Sequence, residues 1–519
     1  VSRRPEGPAE DLPVVCEVAR RGRFAVGERF FEPGAPVTLG RRGSVPAVPG
    51  ELVAVRVERG RGRVVARLGS TRDINVVMRG LLVERGVARP RSNEAVEEAR
   101  AAAVEPDGLD PGRADLRDLP VVTVDPPTAR DFDDAFSLRQ EGDRLRCWVH
   151  IADVAHHVRL GGQLDVDARR RALSVYVPGQ VEPMLPHELS SGVCSLQEGR
   201  DRRAVTVEVL FDEALRPGRP RFYRSLIRSR ARLTYGEAHA LLEGRTRHPV
   251  AGEQLALADR VTRELRTRRF QRGALTIDPR ELVIDIDGSR VSRATWEGEA
   301  RAHALIEELM IMANELVAAE LVRRRSRAVY RVHEPPDPES VERALARLAD
   351  IGAPVVPAPE HMTSAQAAAV VAAEGARLSV QQRDGRRPPE AATVLLLQSL
   401  KLARYDPRNL GHAGLASTAY CHFTSPIRRY PDLVCHRALL ASLGADEQVE
   451  EEAGEVALRA SEAEREAAFI ERRADGICLA SLLRARLADD WTRPFDGEVT
   501  GVLGGGLFVR FGRVFEGFL

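Results

Sequence analysis

The 519 residues carry 77 Lys+Arg against 76 Asp+Glu, a formal net charge of +1, with 43% hydrophobic and 29% charged residues. This is the composition of an ordinary globular chain long enough for about three or four domains, and aromatic residues at 5% exclude a large stacked-aromatic core. The near-zero total charge decides nothing about a nucleic-acid partner, because a partner responds to how charge is distributed.

The opening residues, Val1-Ser2-Arg3-Arg4-Pro5, lead into no apolar segment, so no signal peptide is visible. The chain begins without Met and breaks off at Leu519, which reads as a fragment or an alternative start codon. No run is apolar enough to span a bilayer; the stretch 305–322 comes nearest, and Glu307, Glu308, Glu315 and Glu320 interrupt it. Cys16, Cys147, Cys194, Cys421, Cys435 and Cys478 form no C-x-x-C pair, which argues against structural zinc and for buried thiols in a reducing, cytoplasmic setting. Lys401 is the sole lysine. Codon bias accounts for that, but nearly every basic group is then a planar fork suited to phosphate.

Residues 13–70 are predicted as short strands. Ala54–Arg59 alternates, Gly60-Arg61-Gly62-Arg63 reads as a turn, and Val64–Leu68 resumes; strand, glycine turn and strand signal a small antiparallel barrel, of the oligonucleotide-binding kind or a plain β-module. Residues 91–118, rich in Glu, Ala, Asp, Gly and Pro, read as a connector. Strands follow at Val121–Val124, Leu145–Val154 and Ala204–Phe211. Apolar Leu305, Ile306, Leu309, Met312, Leu316 and Val317 share one helical face, predicting a helix over 299–323. Further helices are predicted over 339–349, stopped by Gly352 and Pro354, and over 451–487. The tail, Phe495–Val502 and Leu507–Phe511, is again strand, turn, strand, the start of a second barrel expected to be poorly ordered or aggregation-prone while unclosed.

The sharpest feature is Asp125-Pro126-Pro127-Thr128-Ala129-Arg130-Asp131-Phe132-Asp133-Asp134. Asp125 ends an apolar strand, two prolines stiffen the turn, and three more aspartates converge behind them. Clustered like charges are costly without a cation, and hard Mg²⁺ takes oxygen ligands while keeping waters, which suits a site that also accepts phosphate. A solvated acidic loop is the alternative, and pinning by strand and prolines favours the site. Terpene cyclases that use D-x-D-D need an all-helical, aromatic-lined pocket, and a calcium-binding helix–loop–helix needs a mid-loop glycine; neither context is present.

The second feature is His422-Phe423-Thr424-Ser425-Pro426-Ile427-Arg428-Arg429-Tyr430-Pro431-Asp432. Ser425 is predicted to cap a helix beginning at Pro426, with Arg428 and Arg429 in its first turn, a seat for phosphate; an arginine pair bridging to carboxylates fits equally. His412, His422 and His436 nearby are given no role. Thr234 and Glu237 form a capping box, so Tyr235 opens a helix and either stacks on a base or packs beneath the helix start. Glu471, among Arg465, Arg472 and Arg473, reads by default as part of a solvated ion-pair face.

Together these segments resemble the ribonuclease II / ribonuclease R family of exoribonucleases from about Leu119 to Leu487. The resemblance rests on Asp125-Pro126-Pro127…Asp131-Phe132-Asp133-Asp134-Ala135, Val149-His150-Ile151-Ala152-Asp153-Val154, Pro183-Met184-Leu185-Pro186, Cys194-Ser195-Leu196, Ile306-Glu307-Glu308-Leu309-Met310 with Ala313-Asn314-Glu315, and the block from His422 to Leu433. It implies an α+β catalytic core at 119–490 flanked by small β-barrels, cold-shock-like over 1–90 and a partial S1-like one over 491–519, with 91–118 connecting. It implies processive 3′-to-5′ hydrolysis of single-stranded RNA to nucleoside 5′-monophosphates by a monomer using Mg²⁺ or Mn²⁺. Asp125, Asp131, Asp133 and Asp134 match the metal-binding quartet, with Asp133 most critical. Arg428 matches the arginine supporting the scissile phosphate, with Arg429 beside it on the RNA. Tyr235 matches the aromatic that stacks near the 3′ end, and Glu471 the acidic RNA contact. The chain departs from the family in four ways. The first segment is short for two barrels, the S1-like barrel stops after its first strands, prolines occupy 335–336 where a second aromatic is expected, and Gln197 stands where Asn is usual. Other readings are an RNA-binding protein on this fold with catalysis weakened or lost, and a phosphodiesterase of small nucleotides.

Overall fold

The computed structural model describes residues 12–22, 24–40, 45–104, 108, 110–275, 281–297, 301–383, 390–488 and 490–519. β1 (Val14–Arg21), β2 (Phe24–Arg29), β3 (Val37–Leu39), β4 (Glu51–Glu58) and β5 (Arg61–Ser70) close into a barrel in the order β1-β2-β3-β5-β4. Cys16, Val18, Val37, Val53, Val55 and Val64 fill it, the inward half of each alternating strand. The β4–β5 turn is Arg59–Gly60, with φ of 49° and 77°, the positive-φ pair that a two-residue hairpin turn demands. Residues 61–63, expected in the turn, therefore belong to β5.

Two helices follow, α1 (Ile74–Glu84) and α2 (Asn93–Ala103), capped by the Asp73 and Ser92 side chains. The Glu- and Ala-rich part of the expected connector is thus α2. Its Ala95 and Ala99 are fully buried, and this i, i+4 alanine strip lets the helix seat closely on the core. The composition that reads as a linker is also that of a good helix.

The central sheet is built from β6 (Ala114–Asp115), β7 (Val121–Asp125), β8 (Asp134–Glu141) and β9 (Arg144–Ala152). After α3 (Val154–His157), α4 (Gln163–Arg171) and the hairpin β10 (Val175–Val177)–β11 (Gln180–Glu182), it is completed by β12 (Asp201–Phe211) and β13 (Arg221–Thr234). The order is β12-β9-β8-β7-β13-β6, and β12 also pairs with β13, so the strands run round in a ring. The continuous apolar run Val121-Val122-Thr123-Val124 is fully buried, as a strand covered on both faces must be.

Helices α5 (Tyr235–Leu242), α6 (Ala251–Gln271) and α7 (Arg301–Arg324) pack on this sheet, with the hairpin β14 (Glu281–Asp287)–β15 (Arg290–Glu297) between the last two in sequence. β16 (Tyr330–Val332) pairs with β17 (Arg404–Asp406), while α8 (Pro338–Asp350), α9 (Ser364–Arg383) and α10 (Glu390–Gln398) form a separate cluster around Leu348 and Val371. α11 (Tyr430–Ser442) is buried along almost its whole length, and α12 (Ala453–Leu487) runs from the core to the barrel side, where Ile470, Cys478 and Leu482 join Met78 and Leu81 of α1 in one cluster. The helices expected near 299–323, 339–349 and 451–487 are α7, α8 and α12; residues 299 and 300 lie outside the described residues. At the end, β18 (Gly497–Leu503), β19 (Gly506–Phe511) and β20 (Phe515–Phe518) make a three-stranded sheet. It is anchored rather than loose: Val514 and Phe515 are buried in the α12 cluster, with Arg486 5.3 Å over the Phe515 ring. Val502 and Phe518 on the same sheet remain exposed.

All six cysteines are free and buried. Among the described residues, no helix is long and apolar enough to cross a membrane.

Candidate active site

β7 stops at Asp125 because Pro126 and Pro127 carry no N–H to continue a ladder. The chain resumes as a strand at Asp134, so the loop 126–133 starts and ends on neighbouring strands, β7 and β8. Its far end is fixed by main-chain bonding: the Ala152 N–H donates to the Asp133 carbonyl at 2.9 Å. Register sets the near end, pairing Asp125 with Thr234 of the parallel strand β13.

Asp133 is 3% exposed. Its Oδ1 accepts the Ile427 N–H at 2.8 Å, while Oδ2 is buried without a hydrogen-bond partner among the described residues, with Arg428 Nε 3.7 Å away. Asp125 Oδ2 is buried and unpartnered in the same way. Burial pushes the Asp133 carboxyl up, against the pull of Arg428 and the Ile427 N–H. Burial also raises Asp125, reinforced by the charges of Asp134 and Asp131 and opposed by Arg232. It raises Asp134 too, against Arg428 and Arg429. A cluster that resists ionising together lacks positive charge. Among the described residues, no three His, Cys, Asp or Glu side chains are spaced as a ready-made metal cage. Asp125 and Asp133 each keep one orphaned buried oxygen, and because Mg²⁺ takes only one or two protein carboxylates alongside water and phosphate oxygens, these two residues suit a hard cation.

The arginine segment differs from its expected form. Helix α11 begins at Tyr430, not Pro426, and Pro431 is the proline in its first turn. Residues 425–429 are a tight turn in which the Ser425 carbonyl accepts the N–H groups of Arg428 (3.2 Å) and Arg429 (3.0 Å). Asp432 reaches back to the Ser425 N–H at 2.8 Å and grips Arg429 with two bonds of 2.9 and 2.8 Å. Of the two arrangements expected for this pair, Arg429 forms the bridge to a carboxylate. Arg428 is different. Its side chain is 44% exposed and 3.7 Å from Asp133 Oδ2, with one hydrogen bond, to Ser425 Oγ at 3.2 Å.

A residue that the sequence reading did not single out completes the group. Tyr176 on β10 donates its O–H to Asp131 Oδ2 at 3.2 Å, and its N–H reaches Glu471 Oε1 at 3.5 Å; its ring is 39% exposed. Nothing local marks a tyrosine in Val175-Tyr176-Val177, and only the fold brings it to the quartet. Glu471 is half-buried, and burial pushes its carboxyl up, opposed by the Tyr176 N–H and Arg472 and reinforced by Asp475. Tyr235 lies on the opposite flank, opening α5 through a complete Thr234/Glu237 capping box. Its half-buried ring rests on His303, centroids 3.7 Å apart. Arg232 stacks over Phe132 at 5.3 Å and donates to the Pro126 carbonyl at 2.8 Å, setting a second cation beside Asp125.

The arrangement is a carboxylate group with unfilled buried acceptors, one loosely held arginine facing it, and exposed aromatic surface at its rim. Ribonuclease R of Aquifex aeolicus (strain VF5) is 34% identical over 484 residues, which cover 89% of this chain and 66% of that protein. Ribonuclease R of Escherichia coli (strain K12) is 35% identical over 441 residues, 81% of this chain and 53% of its own length. The chain thus spans about two thirds or less of these relatives. The structure of Mycoplasma genitalium RNase R in complex with ribose methylated single-stranded RNA superposes with a TM-score of 0.85 at 23% identity, covering 98% of this chain and 81% of that one. The model of the RNB domain matches residues 113–445, well over half the chain, and the protein belongs to the RNB domain family.

Proposed function

We propose that this chain is a metal-dependent 3′-to-5′ exoribonuclease that hydrolyses single-stranded RNA to nucleoside 5′-monophosphates. The observation that carries this reading is the pair of unpartnered buried oxygens on Asp125 and Asp133, with Arg428 beside them. The Ribonuclease R relatives and the RNA-bound neighbour support the substrate class. Asp125, Asp131, Asp133 and Asp134 would hold Mg²⁺ or Mn²⁺, which supplies positive charge for the phosphodiester group. The protein's own part is positional. The Ile427 N–H turns Asp133 so that Oδ2 faces the site, and Arg428 gives a non-bridging phosphate oxygen a donor fork. Residues 1–90 are assigned as the RNA-binding barrel region, 91–118 as the link, 119–490 as the catalytic core and 491–519 as part of an S1-like barrel. A cytoplasmic monomer is the working assignment.

Incubating 5′-labelled single-stranded RNA with the protein and Mg²⁺ tests the reading. A descending ladder to a short limit product, abolished by EDTA, supports it. Intact RNA in a stable complex points instead to a binding protein, and a preference for dinucleotides over long strands points to a small-nucleotide phosphodiesterase.

Two further outcomes are expected. Arg428→Ala should slow single-turnover cleavage by about 10²–10³-fold, the usual cost of removing one donor aimed at transition-state charge; a change in KM alone would remove Arg428 from the chemistry. Tyr176 and Tyr235 compete for the base-stacking role that the resemblance gave to Tyr235, and the Tyr176–Asp131 bond favours Tyr176. Tyr176→Ala should change the length of the limit product and weaken binding by about 1–3 kcal/mol, the worth of one stacked base. A limit product that changes with Tyr235→Ala and not with Tyr176→Ala returns the role to Tyr235.

A further inference from the structure

Besides its strand ends and the contacts from Arg232, Tyr176 and Ile427, the loop that carries the aspartates is held along its main chain. Ser195 is fully buried and sits 65 residues away in sequence from the loop it touches. Its Oγ donates to the Arg130 carbonyl at 2.8 Å and accepts the Phe132 N–H at 3.1 Å. The next residue continues the contact, the Leu196 N–H donating to the Phe132 carbonyl at 3.0 Å. One hydroxyl thus bridges the peptide groups on either side of Asp131, and its neighbour secures the carbonyl just before Asp133. The clamp is itself anchored. The buried Arg202 of β12 donates through Nε to the Ser195 carbonyl at 2.8 Å, and reaches Gln197 Oε1 at 3.2 Å. Gln197 Nε2 in turn holds the Ser191 carbonyl at 2.8 Å.

Proline stiffens residues 126 and 127, but residues 128–132 have no regular structure of their own. A loop bearing like charges spreads when nothing restrains it. Mutual repulsion would carry Asp131 away from Asp133 in the absence of a cation, and a cation arriving would have to reorder the backbone before binding. A hydroxyl that satisfies a carbonyl and an N–H two residues apart removes that cost by setting the spacing in advance. Serine suits the task because it donates and accepts at once, and alanine does neither.

We infer that Ser195 is a positioning residue for the metal-binding loop, acting through the Arg130 and Phe132 peptide groups to hold Asp131 and Asp133 ready for the cation. This rests on the proposed exoribonuclease reading, and its test keeps the two separable. Mn²⁺ binding to the whole protein is titrated by electron paramagnetic resonance, without RNA, for wild type, Ser195→Ala and the near-isosteric Ser195→Cys. Mg²⁺ dependence of RNA hydrolysis and melting temperature are measured beside it. The expected result is a Mn²⁺ dissociation constant and a half-saturating Mg²⁺ concentration raised about 10–100-fold in Ser195→Ala, as for groups that orient metal ligands from behind. Ser195→Cys should be intermediate, and rates should recover toward wild type at high Mg²⁺ with KM for RNA unmoved. Unchanged metal affinity in a folded Ser195→Ala protein overturns the inference; should that variant not fold, unchanged affinity in Ser195→Cys does the same. A wild type that binds Mn²⁺ yet cleaves no RNA overturns the enzymatic reading alone, since the metal titration still reports on Ser195.

Discussion

Asp133→Asn should lower hydrolysis of single-stranded RNA by at least about 10³-fold, a loss of roughly 4 kcal/mol of transition-state stabilisation, while leaving the melting temperature within about 3 °C of wild type. The two halves of this expectation come from the two oxygens of one side chain. Asn retains an oxygen to accept the Ile427 N–H at the Oδ1 position, so the local backbone keeps its partner. The change falls on Oδ2, which is buried, unpartnered and 3.7 Å from Arg428. There the substitution removes the negative charge that a cation and the arginine both need. Stability should not suffer, because burial already works against the ionised form of Asp133 and removing a like charge relieves its neighbours. Single-turnover cleavage and thermal unfolding on the same preparation check both halves. A variant that cleaves at the wild-type rate would sink the quartet as the reacting centre. One that loses activity only by melting would make Asp133 a structural residue.

Asp153→Ala should destabilise the fold by about 3–5 kcal/mol, the cost of removing one partner from a buried ion pair. Asp153 follows directly on Ala152, whose N–H holds the Asp133 carbonyl, and it is 1% exposed. Its Oδ2 receives Arg224 Nε at 2.9 Å and lies 3.0 Å from Arg113, whose side chain is 3% exposed. Truncation leaves that guanidinium deep in the protein with Asp110 as its one remaining acidic partner among the described residues. The same contacts set a pH dependence. Burial alone would raise the Asp153 carboxyl, but Arg224 and Arg113 outweigh it and hold the group well below the usual carboxylate range. A depressed folded-state pKa contributes stability that is fully present above the unfolded carboxylate value of about 3.9 and is lost as pH falls through the folded one. The stability gap between wild type and Asp153→Ala should therefore be widest near neutral pH and narrow below about pH 4. Urea unfolding at several pH values measures it, and a gap independent of pH would contradict the assigned ion pairs.

Much of this protein was legible residue by residue. The strand before Asp125, the two prolines, the clustered aspartates and the capping box at Thr234 and Glu237 all depend on spacings of a few residues. So do the apolar faces of α7 and α8. Two differences from the expected local structure share one origin. Pro426 and Pro431 both offer a proline suited to a helix start, and the choice fell on Pro431 because Asp432 folds back onto Ser425 and Arg429. The Glu- and Ala-rich stretch read as a connector became α2 because the core offered its alanines a surface to cover.

The sequence by itself determined which side chains could perform the chemistry and the local elements that carry them, since backbone propensity, capping and like-charge repulsion act over one or two turns. Only the tertiary structure decided which of them meet. Ile427 reaches Asp133 across 294 positions, Tyr176 reaches Asp131 across 45 and Glu471 across 295, and Arg429 pairs with Asp432 while Arg428 lies beside Asp133. Such contacts are set by how strands register and helices dock. Burial then makes most hydrogen bonds obligatory, because an unpaired polar group removed from water is costly to leave, and Asp125 and Asp133 are among the residues that keep an unpaired buried oxygen.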